Sequence, residues 1–211
     1  EGSDDDGSIP TFSTTLTGTD SGDFALTTGG VLTFQATTDF ENPVCGTEND
    51  SNTCNITATI TDGTNESTQA ITITVTDTND EAPVLTAAAS YSVAEGETAV
   101  GTVTTTDADA GATFTYTLSG TDAADFEITK TEGTQAGVLV FKAASTPDFE
   151  TQTSYSLNVV VSDGSNSDTQ AIVVNITNVN DNNPVFTSST SESINEGQTS
   201  VSTVIAGDDD G

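Results

Sequence analysis

Carboxylates dominate the chemistry open to this chain, and they arrive at fixed intervals. Asp77, Asn79 and Asp80 lie in TDTNDEAP, a D/N-x-N-D-x-x-P segment that returns as Asn178, Asn180 and Asp181 in TNVNDNNP. An acidic pair stands upstream of each, Asp39 with Glu41 and Asp148 with Glu150, both in the triplet DFE. A D-x-D pair stands downstream, Asp107 with Asp109 and Asp208 with Asp210, and Asp163 follows in SDG at a strand end. A hard cation such as Ca²⁺ takes six to eight oxygens from carboxylates, amide carbonyls, backbone and water. Acids two positions apart at a turn can converge on one ion. Pooled without such an ion, they would repel one another strongly.

Other chemistries fit less well. Two carboxylates suffice for glycoside hydrolysis, but the chain has no His, no Arg and no Trp to act as base, clamp or sugar-stacking group, so no catalytic site is expected. The loop from Asp107 looks superficially like an EF-hand, yet Leu118 stands where the position-12 glutamate is required. Cys45 and Cys54 suit neither a CxxC redox pair nor a zinc ribbon. A local disulfide is the better reading and would place the chain outside a reducing cytosol; two unrelated reduced thiols are the alternative. Asp+Glu total 33 against 2 Lys+Arg, a net charge of -31, which excludes nucleic acid and anionic membrane surfaces as partners. Asn55, Asn65 and Asn175 match the N-glycosylation sequon.

Such acids need strands and turns to position them. Apolar residues make up only 33% of the chain, but they concentrate in runs such as YSLNVVV and AITITV. Tyr155, Leu157, Val159 and Val161 alternate with polar neighbours, as do Ile172, Val174 and Ile176, the period of a strand with one face inward. Shorter strands are expected at Tyr91–Val93, Thr113–Leu118, Phe126–Ile128 and Val138–Phe141. No segment has helical periodicity. No apolar run reaches the roughly 18 residues of a membrane span, and no signal peptide is evident, so a mature or excised segment of a longer protein is expected.

The motifs also repeat as a set. Asp80 returns as Asp181, Glu95 of SVAEGE as Glu196 of SINEGQ, and Asp62 as Asp163, all at a period of about 101 residues. GTDSGDFAL (18–26) returns as GTDAADFEI (120–128). Six or seven short strands per period is the pattern of an immunoglobulin-like sandwich. The connection after Glu41 is longer than that after Glu150, and both cysteines fall in the extra residues, with Cys54 in the register position of Tyr155.

Taken together, the E-G-E, DFE, D-x-N-D-x-x-P, D-x-D and SDG motifs resemble the cadherin superfamily, in the short form found in many bacterial surface proteins. The resemblance covers essentially the whole chain. It implies an all-β fold of tandem Greek-key β-sandwiches with Ca²⁺ at each boundary between repeats. Carried over by motif, the first boundary would use Asp39, Glu41, Asp77, Asn79, Asp80, Asp107, Asp109 and Asp163. The second would use Glu95, Asp148, Glu150, Asn178, Asn180, Asp181, Asn182, Asp208 and Asp210. Asn178 departs from the family's usual Asp, Glu81 from its usual Asn, and DFE from its usual DRE.

The organisation expected is a repeat over 1–82 without its first strand, a complete repeat over 83–183, and the start of a third over 184–211, with DDDG at both 4–7 and 208–211. The function implied is a calcium-stiffened structural or adhesive module at a cell surface. Its partners would be neighbouring repeats or subunits, other surface proteins or glycans, without membrane insertion. A filament subunit joined head to tail by strand donation and a calcium-dependent carbohydrate-binding module are the alternatives.

Overall fold

The computed structural model describes residues 10–131 and 134–210. The DDDG run at 4–7 and Gly211 lie outside the described residues, so the motif they share is followed only through Asp208–Asp210. The chain divides into two units, one running to Asp80 and including Ala108–Ala110, the other made of Glu81–Asp107 and the residues from Gly111 onward.

In the first unit, β1 (Thr11–Phe12), β4 (Thr53–Thr61) and β5 (Glu66–Thr74) form one sheet, and β2 (Phe24–Leu26) pairs with β3 (Leu32–Phe34). β4 and β5 are an antiparallel hairpin in register from Thr53↔Thr74 to Thr61↔Glu66. Leu16, Phe24, Leu26, Cys45, Cys54, Ile56 and Ala58 are the buried core, with the Phe24 and Phe34 rings 4.3 Å apart.

The second unit is a two-sheet sandwich. One sheet has the order β10 (Phe126–Lys130), β11 (Ala136–Phe141), β8 (Ala99–Thr106), β6 (Val84–Thr86). The other has the order β7 (Ser90–Ala94), β13 (Ser167–Thr177), β12 (Ser154–Ser162), β9 (Thr115–Ser119). Every pairing is antiparallel except β7 with β13, which is parallel. The chain crosses between sheets after β6, β7, β8, β9 and β11, so sequence neighbours pack face to face as in a Greek key. Tyr155, Leu157, Val159, Val161, Ile172, Val174 and Ile176 are all buried, as their alternation requires. Each fully buried aliphatic side chain among them contributes about 1.5–3 kcal/mol. Phe126, Phe141 and Tyr155 form an aromatic cluster with centroids 4.2–5.8 Å apart. Short β14 (Val185–Phe186) and β15 (Ala206–Gly207) pair with each other.

The structure departs from the strand pattern in two places. β9 starts at Thr115 rather than Thr113, although Phe114 is buried in phase with Tyr116 and Leu118. β8 carries no clear alternation, since threonines occupy both of its faces and Gly101 interrupts it. Gly101 lies against the Tyr91 ring so closely that a β-carbon there would collide with it. The only helical turns among the described residues are three one-turn 3-10 segments, and no helix is long and apolar enough to cross a membrane.

Cys45 and Cys54 are disulfide-bonded and fully buried, their Cα atoms 5.0 Å apart. Cys54 pairs with Ile73 across its hairpin as Tyr155 pairs with Val174, so the bridge fills the place that an aromatic ring fills in the second unit. Buried Asp20 ties the extra loop down. Its Oδ1 accepts from Gly46 N (2.6 Å) and its Oδ2 from Asn55 N (2.6 Å). Asp122, its counterpart, accepts from Ser156 N (2.6 Å).

Candidate metal centre

The second unit holds the larger group of acids. The parallel pairing of β7 with β13 brings Ala94 opposite Thr177, and the next residue, Glu95, donates its N–H to the Thr177 carbonyl (3.1 Å). Gly96 then turns with φ +78, a left-handed value that suits glycine, and donates to the Pro147 carbonyl (3.0 Å). Glu95 is thereby aimed inward and is buried. Its Oε2 accepts from Phe149 N (2.7 Å) and its Oε1 from Val179 N (2.6 Å), joining the DFE turn to the segment after β13. Glu95, Glu150, Asp181 and Asp210 each present one carboxylate oxygen, and the four oxygens lie within 4.8 Å of one another. Glu95, Glu150 and Asp181 line a hollow of about 380 Å³, together with Asp148, Asn182 and Asp209.

The two acids of DFE divide the work. Asp148 Oδ1 accepts from Thr151 N (3.0 Å) and Asp39 Oδ1 from Glu41 N and Asn42 N (3.0 Å each). The first acid thus shapes the turn, and the second, Glu150 or Glu41, joins the cluster. In the first unit Glu41, Asp77 and Asp109 bring oxygens within 4.8 Å of one another. Asp77 Oδ2 accepts from Ala110 N (2.6 Å), while Asp77 Oδ1 and Glu41 Oε1 are buried with no hydrogen-bond partner. A buried carboxylate oxygen in that state carries a desolvation cost that a cation would remove.

The remaining sequence-derived candidates stand at various removes. Asn79 is exposed beside Asp80, whose charge acts on Glu41. Asp107 follows β8 directly, in the second unit. Asp163 is buried just after β12, its Oδ1 accepting from Ser165 N and Asn166 N (2.6 Å each). Asn178 Nδ2 donates to the Asp210 carbonyl (3.1 Å), and Asp208 Oδ1 accepts from Asp210 N (3.2 Å). Asn182 donates to both Asp210 carboxylate oxygens, from N (2.8 Å) and Nδ2 (3.2 Å). Asn180 is exposed. Asp209 lines the hollow although the D-x-D pattern passes over it. The middle of a three-acid run was its only sequence signal.

Crowding shows in the acidities. Desolvation, followed by the Asp77, Asp109 and Asp80 charges, holds Glu41 above the ordinary carboxylate range. Desolvation, with Glu95, Asp210 and Asp148 nearby, does the same to Glu150 and Asp181. At Asp210 desolvation pushes upward too, but hydrogen bonds, chiefly from Asn182, outweigh it and leave this acid below the ordinary range.

Comparison with known proteins agrees with this architecture. The Cadherin domain family model matches residues 89–177, which run from the residue before β7 to the end of β13. No curated protein sequence matches. Among solved structures, the protocadherin gammaB7 EC3-6 cis-dimer matches at TM-score 0.71 and 25% identity, covering 95% of this chain and 48% of that one. Protocadherin Gamma B2 extracellular cadherin domains 3-6 match at 0.67 and 23%, covering 95% and 48%. Mouse cadherin-23 EC22-24 matches at 0.68 and 24%, covering 95% and 65%. The chain therefore spans less than two thirds of each of these structures. Residues 89–177 match the Cadherin domain model, and the chain has a cadherin-like β-sandwich fold. Cadherin domains are non-enzymatic adhesion modules, and residues 89–177 match the model of that domain.

Proposed function

We propose that the chain is a calcium-rigidified, extracellular structural and adhesive segment of a repetitive cell-surface protein. The repeats would be 1–82, 83–183 and 184–211, with metal at the two boundaries. The observation that carries this reading is the convergence of Glu95, Glu150, Asp181 and Asp210 within 4.8 Å, in a chain with only two Lys or Arg to offset 33 acids. The donor set fits Ca²⁺: hard carboxylate and amide oxygens, with no His in the chain and both cysteines engaged in a disulfide. The orphaned oxygens of Glu41 and Asp77 support a second site of the same kind.

When bound, the ion would neutralise these acids and cross-link the segments that carry them. The protein's own residues provide the frame: Glu95 joins the DFE turn to the linker after β13, and Asp148 fixes that turn. The disulfide suits an oxidising compartment. The expected partners are neighbouring repeats or other surface molecules.

Isothermal titration of the chain with calcium tests the reading. Binding in the micromolar to millimolar range is expected. The exposed substitutions Glu150→Gln and Asp181→Asn should each weaken one class of sites by roughly tenfold. Absence of binding heat together with an unchanged amide spectrum would refute it.

A further inference from the structure

We infer that Asn178 and Asn182 make the Glu95 cluster the weaker of the two calcium sites, so that calcium is taken up in two steps, around Glu41, Asp77 and Asp109 first. This inference rests on the calcium reading above. Ligand charge count and site rigidity tune oxygen-site affinity, and the two linkers differ in charge. The first linker offers Asp77, Asp80 and Glu81, and the second offers Asn178, Asp181 and Asn182 at the matching positions.

The hydrogen bonds point the same way. In the first cluster Glu41 Oε1 and Asp77 Oδ1 are buried without partners, so a cation gains them at no cost in existing bonds. The second cluster converges four carboxylates against three, but two of the four are already engaged. Both oxygens of Glu95 accept backbone N–H groups, from Phe149 and Val179. Both oxygens of Asp210 accept from Asn182, and Asn178 Nδ2 binds the Asp210 carbonyl. Asn182 Nδ2 also reaches Asp181 Oδ1 (3.1 Å). A cation entering here must share or displace amide donors that already hold the acids in place. The second cluster would keep its local shape without metal and gain less from binding it.

The test is a calcium titration of the full chain followed by amide NMR shifts. Glu41 and Asn42 report the first cluster, and Phe149 and Val179 the second. The first pair should reach half-saturation at a calcium concentration about tenfold lower. Asn178→Asp should move the second midpoint toward the first, and Asp77→Asn should raise the first midpoint alone. Coincident midpoints in the unmodified chain would overturn the ordering, as would an Asn178→Asp variant, folded by its dispersed spectrum, whose second midpoint has not moved. If no amide responds to calcium while the spectrum stays dispersed, the calcium reading fails and this inference falls with it.

Discussion

Two buried acids in this chain do opposite jobs, and their hydrogen bonds tell them apart. Asp20 spends both oxygens on backbone N–H groups of its own unit, at Gly46 and Asn55, and belongs to none of the carboxylate clusters. Asp20→Ala should destabilise the first unit by about 3 kcal/mol in urea unfolding, without changing calcium affinity, because it strands two buried donors. Glu95 also binds two N–H groups but shares its surroundings with three other acids. The crowded acids set the pH response. Glu41, Glu150 and Asp181 hold protons more tightly folded than unfolded, so their contribution to stability is full below the ordinary carboxylate pKa and is lost as pH rises through their raised values. Asp210, held below the ordinary range, opposes them. With chelator present, the melting temperature should therefore fall from about pH 4.5 to pH 7, and with calcium that slope should reverse as protons stop competing for the ligands. The sequence revealed which residue types cluster. It could not separate Asp148, which caps a turn, from Glu150 two positions on, because that depends on turn geometry.

At the level of elements, period-two alternation made β12 and β13 legible, since Tyr155, Leu157, Val159 and Val161 on one and Ile172, Val174 and Ile176 on the other are buried on a single face. β8 was not legible. Its threonines suit either face, and its glycine is there for the Tyr91 ring, a contact between strands that no local pattern records. The β4–β5 hairpin could be placed by analogy with β12–β13, including the match of Cys54 to Tyr155. The disulfide then substitutes for an aromatic core residue as well as holding the loop. Replacing both cysteines with serine should lower the first unit's stability by at least about 2–3 kcal/mol, the loop-entropy share alone, in thermal unfolding. Both sulfurs are fully buried, so in native buffer a mild reductant should act only as fast as the unit opens. Rapid reduction without loss of structure would show that the bridge is peripheral.

For the whole molecule the governing quantity is charge. A chain with a net charge of -31 and 33% apolar residues has little to offset repulsion except bound cations. Monovalent salt screens such charges at a distance, but it does not coordinate oxygens held within 4.8 Å of one another. The repeat and its acidic motifs were readable from the sequence because they recur about every 101 residues. The converging acids all belong to the sets carried over by motif; which members of each set converge was not legible, because that depends on a parallel strand pairing and on backbone N–H groups that orient the carboxylates. The most direct measurement is thermal unfolding of the chain at constant ionic strength, in millimolar calcium and in excess chelator, with small-angle scattering of both samples. The account predicts a higher melting temperature and a stiffer solution shape with calcium, worth about 2.7 kcal/mol per site at a hundredfold excess over the dissociation constant. Identical melts and scattering curves would contradict it and leave the acidity as a property of the surface alone.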